Sequence, residues 1–281
     1  MNVAEDMLLT LTRAFAGART PRVKALHLPP AQWDGSKDGE FGALELDDGS
    51  LGLSYVLLDG ALTALVGGAG SASLIGADAL AVAGEWVHGS GAARTLGFAA
   101  VNALTRHLFD RAGFVPPDAT DSIGGLEPEA GEHIGMVGFF PPLVKQVTSC
   151  GARLTVLELR PELAGAREGF RITLDARELE ACDKVLSTST VLLNDTLDDV
   201  LSHCTGARAF ALIGPGASCL PDPLFRLGVT LLGGVWIEQG EAFKQALAAG
   251  RPWGPYARKF ALARADYAGI DALMARARPG Q

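Results

Sequence analysis

The feature that most constrains this chain is a change of apolar rhythm about half-way along it. Beyond residue 130, short apolar runs alternate with helical patterns: Ile134 to Val137, Arg153 to Leu159, Lys184 to Leu186, Ala209 to Ile213 and Val229 to Leu232. Such alternation predicts right-handed crossovers and a parallel sheet covered by helices. One intervening helix carries Leu197, Val200, Leu201 and Cys204, with the Thr196 hydroxyl placed to cap its first turn and Asp199 to reach back. Another starts at Glu241 and stops at Gly250.

The first half follows other rules. Ala4, Met7, Leu8, Leu11 and Phe15 recur at helical spacing before Gly17, and two apolar runs, Val23 to Leu28 and Leu51 to Leu57, read as strands between turn signals. From Ala61 to Phe114 the chain is rich in Ala, Leu and Gly, with Leu96, Ala100, Ala103, Leu104 and Leu108 on one helical face. This predicts a small antiparallel sheet under a helical layer. The period breaks around Pro116-Pro117-Asp118 and Glu127-Pro128, which marks a boundary. The expected fold is α/β in two domains, an α+β domain over residues 1–118 and a Rossmann-like domain over 130–281. The stretch from Ala261 onward, with Arg264, Asp266, Asp271, Arg276 and Arg278 among alanines, reads as a solvated helix.

Charge and cysteine usage exclude some classes. A formal net charge of −8 gives no basic footprint for nucleic acid. No segment approaches the roughly 20 apolar residues of a membrane span, and Glu5 and Asp6 stand where a signal peptide needs positive charge. A cytoplasmic protein with no membrane partner is expected. Cys150, Cys182, Cys204 and Cys219 show no CxxC spacing, so neither a disulfide framework nor a zinc knuckle is indicated.

In a doubly wound sheet, the loops leaving the carboxyl ends of the strands build the ligand site. The first holds Gly138 and Phe139 before Pro141-Pro142, and lacks the full GxGxxG of a dinucleotide fold. Glu158 ends the second strand about 20 residues on, where a carboxylate takes ribose hydroxyls in such folds. The third loop concentrates small polar groups, Ser187, Thr188, Ser189 and Thr190, then Asn194, Asp195 and Thr196. These suit an anion or a polar ligand, while helix capping is the plainer use of some of them. Gly214-Pro215-Gly216 can present consecutive amides, and Gly233-Gly234 can either line the same crevice or let strands pack closely.

As a set, Val137-Gly138-Phe139-Phe140-Pro141, Glu158, the Ser187 to Thr196 stretch with Thr190, Asn194 and Thr196, Gly214-Pro215-Gly216 and Gly233-Gly234-Val235 resemble a bacterial and archaeal Rossmann-like family labelled "putative heavy-metal chelation". The resemblance runs from about Glu132 to Phe260, and departs from the family where Ser189 replaces a glycine and Gly216 a Ser or Thr. Gly97-Phe98-Ala99-Ala100-Val101-Asn102-Ala103 is similar to the helical signature of that family's companion domain, which has an enolase amino-terminal-like α+β fold. The resemblance implies a cleft shared by both domains with Asn102 near it, partial likeness to Rossmann-like methyltransferases, and a role in making or handling metal-chelating, pterin-like or flavin-like molecules.

The expected function is therefore binding of a small-molecule ligand in an interdomain cleft, by an enzyme of chelator, pterin- or flavin-like or metal-linked metabolism. Glu158 would serve as anchor or general base, Thr190 and Asn194 as orienting partners, and amides near Gly138 and Gly214 as charge stabilisers. The alternative is a non-catalytic protein binding a heavy metal or its chelate, with His203, Cys204, Cys182 and Glu158 as ligands and His88, Glu85 and His133 as further candidates. A scaffold that uses the crevice for nothing is the third. No cofactor identity is readable; a heavy metal or a nucleotide-like ligand would suit the loops. A homodimer is the default assembly.

Overall fold

The computed structural model describes residues 1–31, 37–68, 71–121, 123 and 125–276. The opening helix α1 (Val3–Ala14) starts at a capping box in which Asn2 and Glu5 satisfy one another's amides. An antiparallel meander follows, β1 (Val23–His27), β2 (Phe41–Leu46) and β3 (Leu51–Tyr55), in that spatial order. Helices α2 (Ala61–Val66), α3 (Ser71–Leu74), α4 (Ala79–Ala83), α5 (Glu85–His88) and the long α6 (Gly91–Arg111) then cover it. This first unit has the α+β form expected, with β2 as a central strand that the apolar pattern did not reveal.

The second unit contains β4 (His133–Val137), α7 (Pro141–Thr148), β5 (Arg153–Leu157), β6 (Gly165–Arg167), β7 (Phe170–Thr173), β8 (Lys184–Thr188), α8 (Thr190–Leu193), α9 (Leu197–Ser202), β9 (Ala209–Ile213), α10 (Pro221–Arg226), β10 (Leu231–Ile237), α11 (Gly240–Ala248), β11 (Ala257–Ala263) and α12 (Ile270–Arg276). Its strands form one eight-stranded sheet in the order β11-β10-β9-β8-β4-β5-β7-β6. Strands β10 through β7 of that order run parallel, and the edges β11 and β6 are antiparallel. The sheet is thus mixed rather than wholly parallel. The chain passes from β4 outward to β5 and β7, then returns to β8 on the other side of β4 and continues to β9 and β10. The order reverses between β4 and β8.

Two sequence expectations are corrected here. The stretch from Ala261 is not a solvated helix: it ends strand β11, and the later α12 buries Ile270, Leu273 and Met274. Alanines alternating with larger residues at a sheet edge mimic a helix in composition. The proline-rich boundary also carries real contacts. Ala261 and Ala119 donate their amides across it to Pro117 and Lys259, and Ile123 and Leu126 are buried under the sheet.

Alternate residues of the central strands face two cores, as strand pleating requires. Ile134, Met136, Leu154, Val156 and Leu186 pack toward α7, whereas Val137, Val185, Phe210 and Leu212 join a continuous apolar cluster with Trp86, Phe98, Leu104 and Leu108 of the first unit. On another side, Leu51 and Leu53 of β3 pack with Phe243, Leu247 and Trp253 around α11. The buried Glu45 adds a polar tie, accepting from Lys24 at 2.9 Å, from Lys244 of α11 at 3.0 Å, and meeting His27 at 2.7 Å.

The position of α6 rests on two backbone contacts that only glycine permits. A Cβ on Gly97 would lie 2.1 Å from the Trp86 nitrogen, and one on Gly52 of β3 would lie 2.1 Å from the Ala103 nitrogen. Backbone cannot yield as a flexible side chain does, so Gly97→Ala must part α5 from α6. We expect this substitution to cost about 3 kcal/mol, read as a lower urea midpoint; an unchanged midpoint would contradict the packing.

Candidate functional site

In a doubly wound sheet, a reversal such as that between β4 and β8 marks the carboxyl ends of those strands as the ligand crevice. Gly138 leaves β4 with φ +87°, a conformation that disfavours any side chain, and its amide donates to Leu157 at 2.9 Å. A Cβ there would stand 3.2 Å from Thr188 Cγ2, so the Gly138 backbone packs directly against the Thr188 methyl. Phe139 stacks on Phe170 with ring centres 6.1 Å apart, next to the first turn of α7 with its two prolines.

Glu158 is placed at this crevice, with its carboxylate engaged. It accepts from the amides of Phe139 at 3.1 Å, Leu159 at 2.9 Å and Arg160 at 3.3 Å, and from the Arg160 guanidinium at 3.2 Å. Burial acts to raise its pKa, but Arg160 and these amides outweigh it and hold the carboxyl below its ordinary value. The side chain clasps the loop after β4 to the loop after β5, and it is poorly suited to act as a base near neutrality. Arg160, which the sequence reading did not single out, is largely exposed, and its charge acts on the half-buried phenol of Tyr55 at the end of β3.

The hydroxyl-rich loop divides into two parts. Thr188 and Thr190 share a hydrogen bond of 3.0 Å between their hydroxyl oxygens, and the Thr190 amide donates to Thr188 Oγ1 at 3.2 Å, starting α8 at the crevice. Ser187 is fully buried, and Ser189 packs against Gly214, where a Cβ would lie 2.7 Å from Ser189 Oγ. Asn194, Asp195 and Thr196 close α8: the Thr196 amide donates back to Val191 at 3.1 Å, and Asp195 adopts φ +58°. This is a Schellman closure with Asp where glycine is usual. The Thr196 hydroxyl bonds the Asn194 side-chain amide at 2.7 Å and does not cap the following helix, contrary to the capping expected from sequence.

Of the sequence candidates, the structure brings together Gly138, Phe139, Glu158, Thr188, Thr190 and Gly214 around the crevice. Asn194 and Thr196 lie behind it, occupied by local bonds. Gly216 is buried, with Phe98 Cε1 3.0 Å from where its Cβ would be. Gly234 serves close packing, its Cβ position being 2.3 Å from the Phe260 ring. Asn102 lies elsewhere, in a cavity of about 20 Å³ between α6, β3 and β10, where it donates to Leu53 at 2.6 Å and its Oδ1 is enclosed without a partner. That volume suits one water-sized group.

The side chains proposed as direct metal ligands do not assemble. Among the described residues no three of His, Cys, Asp and Glu come together as a metal-ligating group. His133 sits at the amino end of central strand β4, away from the crevice, with its ring nitrogens 3.0 Å from Ala181 O and 2.9 Å from Thr155 Oγ1. His203 pairs with Glu180 at 2.9 Å, and burial pushes the Cys182 and Cys204 thiols up to about 12. Glu85 and His88 lie exposed on α5.

A family model described as "Putative heavy-metal chelation" matches residues 122–266, slightly more than half of the chain. The chain belongs to this family. A second model with the same description matches residues 40–105. An uncharacterized protein of Methanocaldococcus jannaschii is 32% identical over 139 residues, 49% of this chain and 52% of that protein, so the match spans about half the length of that relative. Crystal structures of two family proteins of unknown function are similar over nearly the whole chain. The one from Pyrococcus horikoshii has TM-score 0.67 at 16% identity and covers 93% of this chain and 99% of that one. The one from Desulfitobacterium hafniense has TM-score 0.69 at 20% identity, covering 92% and 99%. They show the shared α/β fold. The family descriptions support a metal-related binding role. No helix among the described residues is long and apolar enough to cross a membrane.

The Glu158 environment makes a checkable statement. Its depressed pKa means the carboxyl stays ionised through neutrality and protonates only below its ordinary 4.5. In a carbon-detected NMR titration, the Glu158 carboxyl resonance should move only below that pH; an inflection near neutrality would restore it as a general base.

Proposed function

We propose that the chain binds a small polar molecule of metal-chelating type, with or without its metal ion, in the crevice between β4 and β8 that the first unit faces. The observation that carries this is the strand-order reversal, which packs the Gly138 backbone against the Thr188 methyl and brings the paired Thr188 and Thr190 hydroxyls to the same strand ends. Backbone, hydroxyl and guanidinium groups of this kind hold a polar organic ligand by hydrogen bonds. They do not form a ligand set for a bare soft metal, which takes thiolate or imidazole. The metal is accordingly read as cargo carried by its chelator.

Binding is favoured over catalysis because Glu158, the carboxylate of this crevice, is ionised and spent on the loops. A catalytic use, on a pterin- or flavin-like chelator, finds no ready acid in Tyr55, whose phenol stays protonated because burial and Glu40 raise its pKa against the lowering effect of Arg160.

Native mass spectra of gently purified protein, before and after denaturation, test the reading and also give the subunit count. The expected result is a retained organic mass, alone or with a metal, lost in the Thr188→Val/Thr190→Val double variant. A stoichiometric metal retained without any organic mass, and unaffected by that variant, would contradict it.

A further inference from the structure

The crevice is built partly by the other unit. Helix α8 has only four residues, and a helix of one turn does not persist in water on its own bonds. Its carbonyl groups must find partners outside the helix or in the closing turn. Within the chain's own turn, Ser189 O takes the Leu192 amide, Thr190 O the Asn194 amide and Val191 O the Thr196 amide. The last two carbonyls are taken from across the interface: Trp86 Nε1 donates to Leu192 O at 3.1 Å, and Arg94 Nε donates to Leu193 O at 2.8 Å. Arg94 also pairs with Asp195, the residue held at φ +58° to turn the chain out of the helix.

We propose that Arg94 and Trp86 are positioning residues for the crevice, completing α8 from the first unit and thereby fixing the Thr188 and Thr190 hydroxyls. This rests on the crevice reading given above. Trp86 is fully buried and packs on Phe98, which in turn abuts Gly216 in the loop after β9, so the grip extends to a second crevice loop. Because the grip and the hydroxyls belong to one short helix, a ligand that orders Thr190 also tightens the contact between units, and the coupling is reciprocal. The crevice loop then needs both units in one chain to be formed.

Residue-resolved hydrogen exchange on the full chain, with native mass spectra of the same preparations, tests this in wild type, Arg94→Met and Arg94→Lys. Arg94→Met should speed exchange of the Asn194 and Thr196 amides roughly tenfold, leave Met136 and Leu186 of the central strands at wild-type rates, and lower the fraction of chains carrying a retained small molecule. Arg94→Lys should recover part of both losses. Wild-type exchange at Asn194 and Thr196 in Arg94→Met overturns the proposal. Faster exchange with undiminished retention overturns the link from loop to ligand, while the crevice itself stands or falls by the Thr188 and Thr190 variants. If Arg94→Met does not fold, Asp195→Asn, which weakens only the ion pair, carries the exchange comparison, with faster exchange expected and unchanged exchange contrary.

Discussion

The close approach of α6 to its neighbours is the constraint on which the remainder depends. With no side chain at Gly52 or Gly97, β3 and α5 come within backbone contact of that helix. The helix can then lay Phe98 and Leu104 into the core shared with the parallel sheet, and carry Arg94 to the loop after β8. A larger residue at either position would part α6 from β3 or from α5 and displace Trp86 and Arg94, which reach the second unit from these helices.

Polar groups in this protein are mostly spent on shape. Glu158 joins two strand-end loops, Asn194 and Thr196 close a short helix, and Glu45 collects Lys24, His27 and Lys244 where the meander meets α11. What can still meet a ligand at the crevice is the Thr190 hydroxyl, which accepts from Thr188, and the exposed side of Arg160. Such a set orients a small molecule by hydrogen bonds and gives little driving force for acid–base chemistry. The buried thiols, kept protonated by burial, are likewise packing groups.

Much of the architecture could be read from the sequence because its signals are local. Period-two apolar runs fixed β4, β5, β8 and β9, and the glycine and proline turns located the crevice loops. Strands β2, β6, β7 and β11 escaped because their stabilisation is tertiary: β6 is three exposed residues at an edge, and β11 is an alanine-rich edge strand whose composition suits a helix. At the site, residue types identified the right loops but not the fate of each side chain. Nothing in Asn194 or Thr196 shows whether a hydroxyl or amide faces inward to its own turn or outward to a ligand. Arg94 and Trp86 had no local signal at all, since their partners lie about a hundred residues away. Arg160, two residues after Glu158, is the one its position could have revealed.

The central claim is that the ligand sits at the strand-order reversal. The most direct measurement is a crystal structure of the protein as purified, with difference density examined before any ligand is added. Density for a small organic molecule is expected over the Gly138 turn and beside the Thr188 and Thr190 hydroxyls, within reach of Arg160. An ordered ligand at the amino ends of the strands near His133, or a metal ion held directly by side chains away from the crevice, would contradict it.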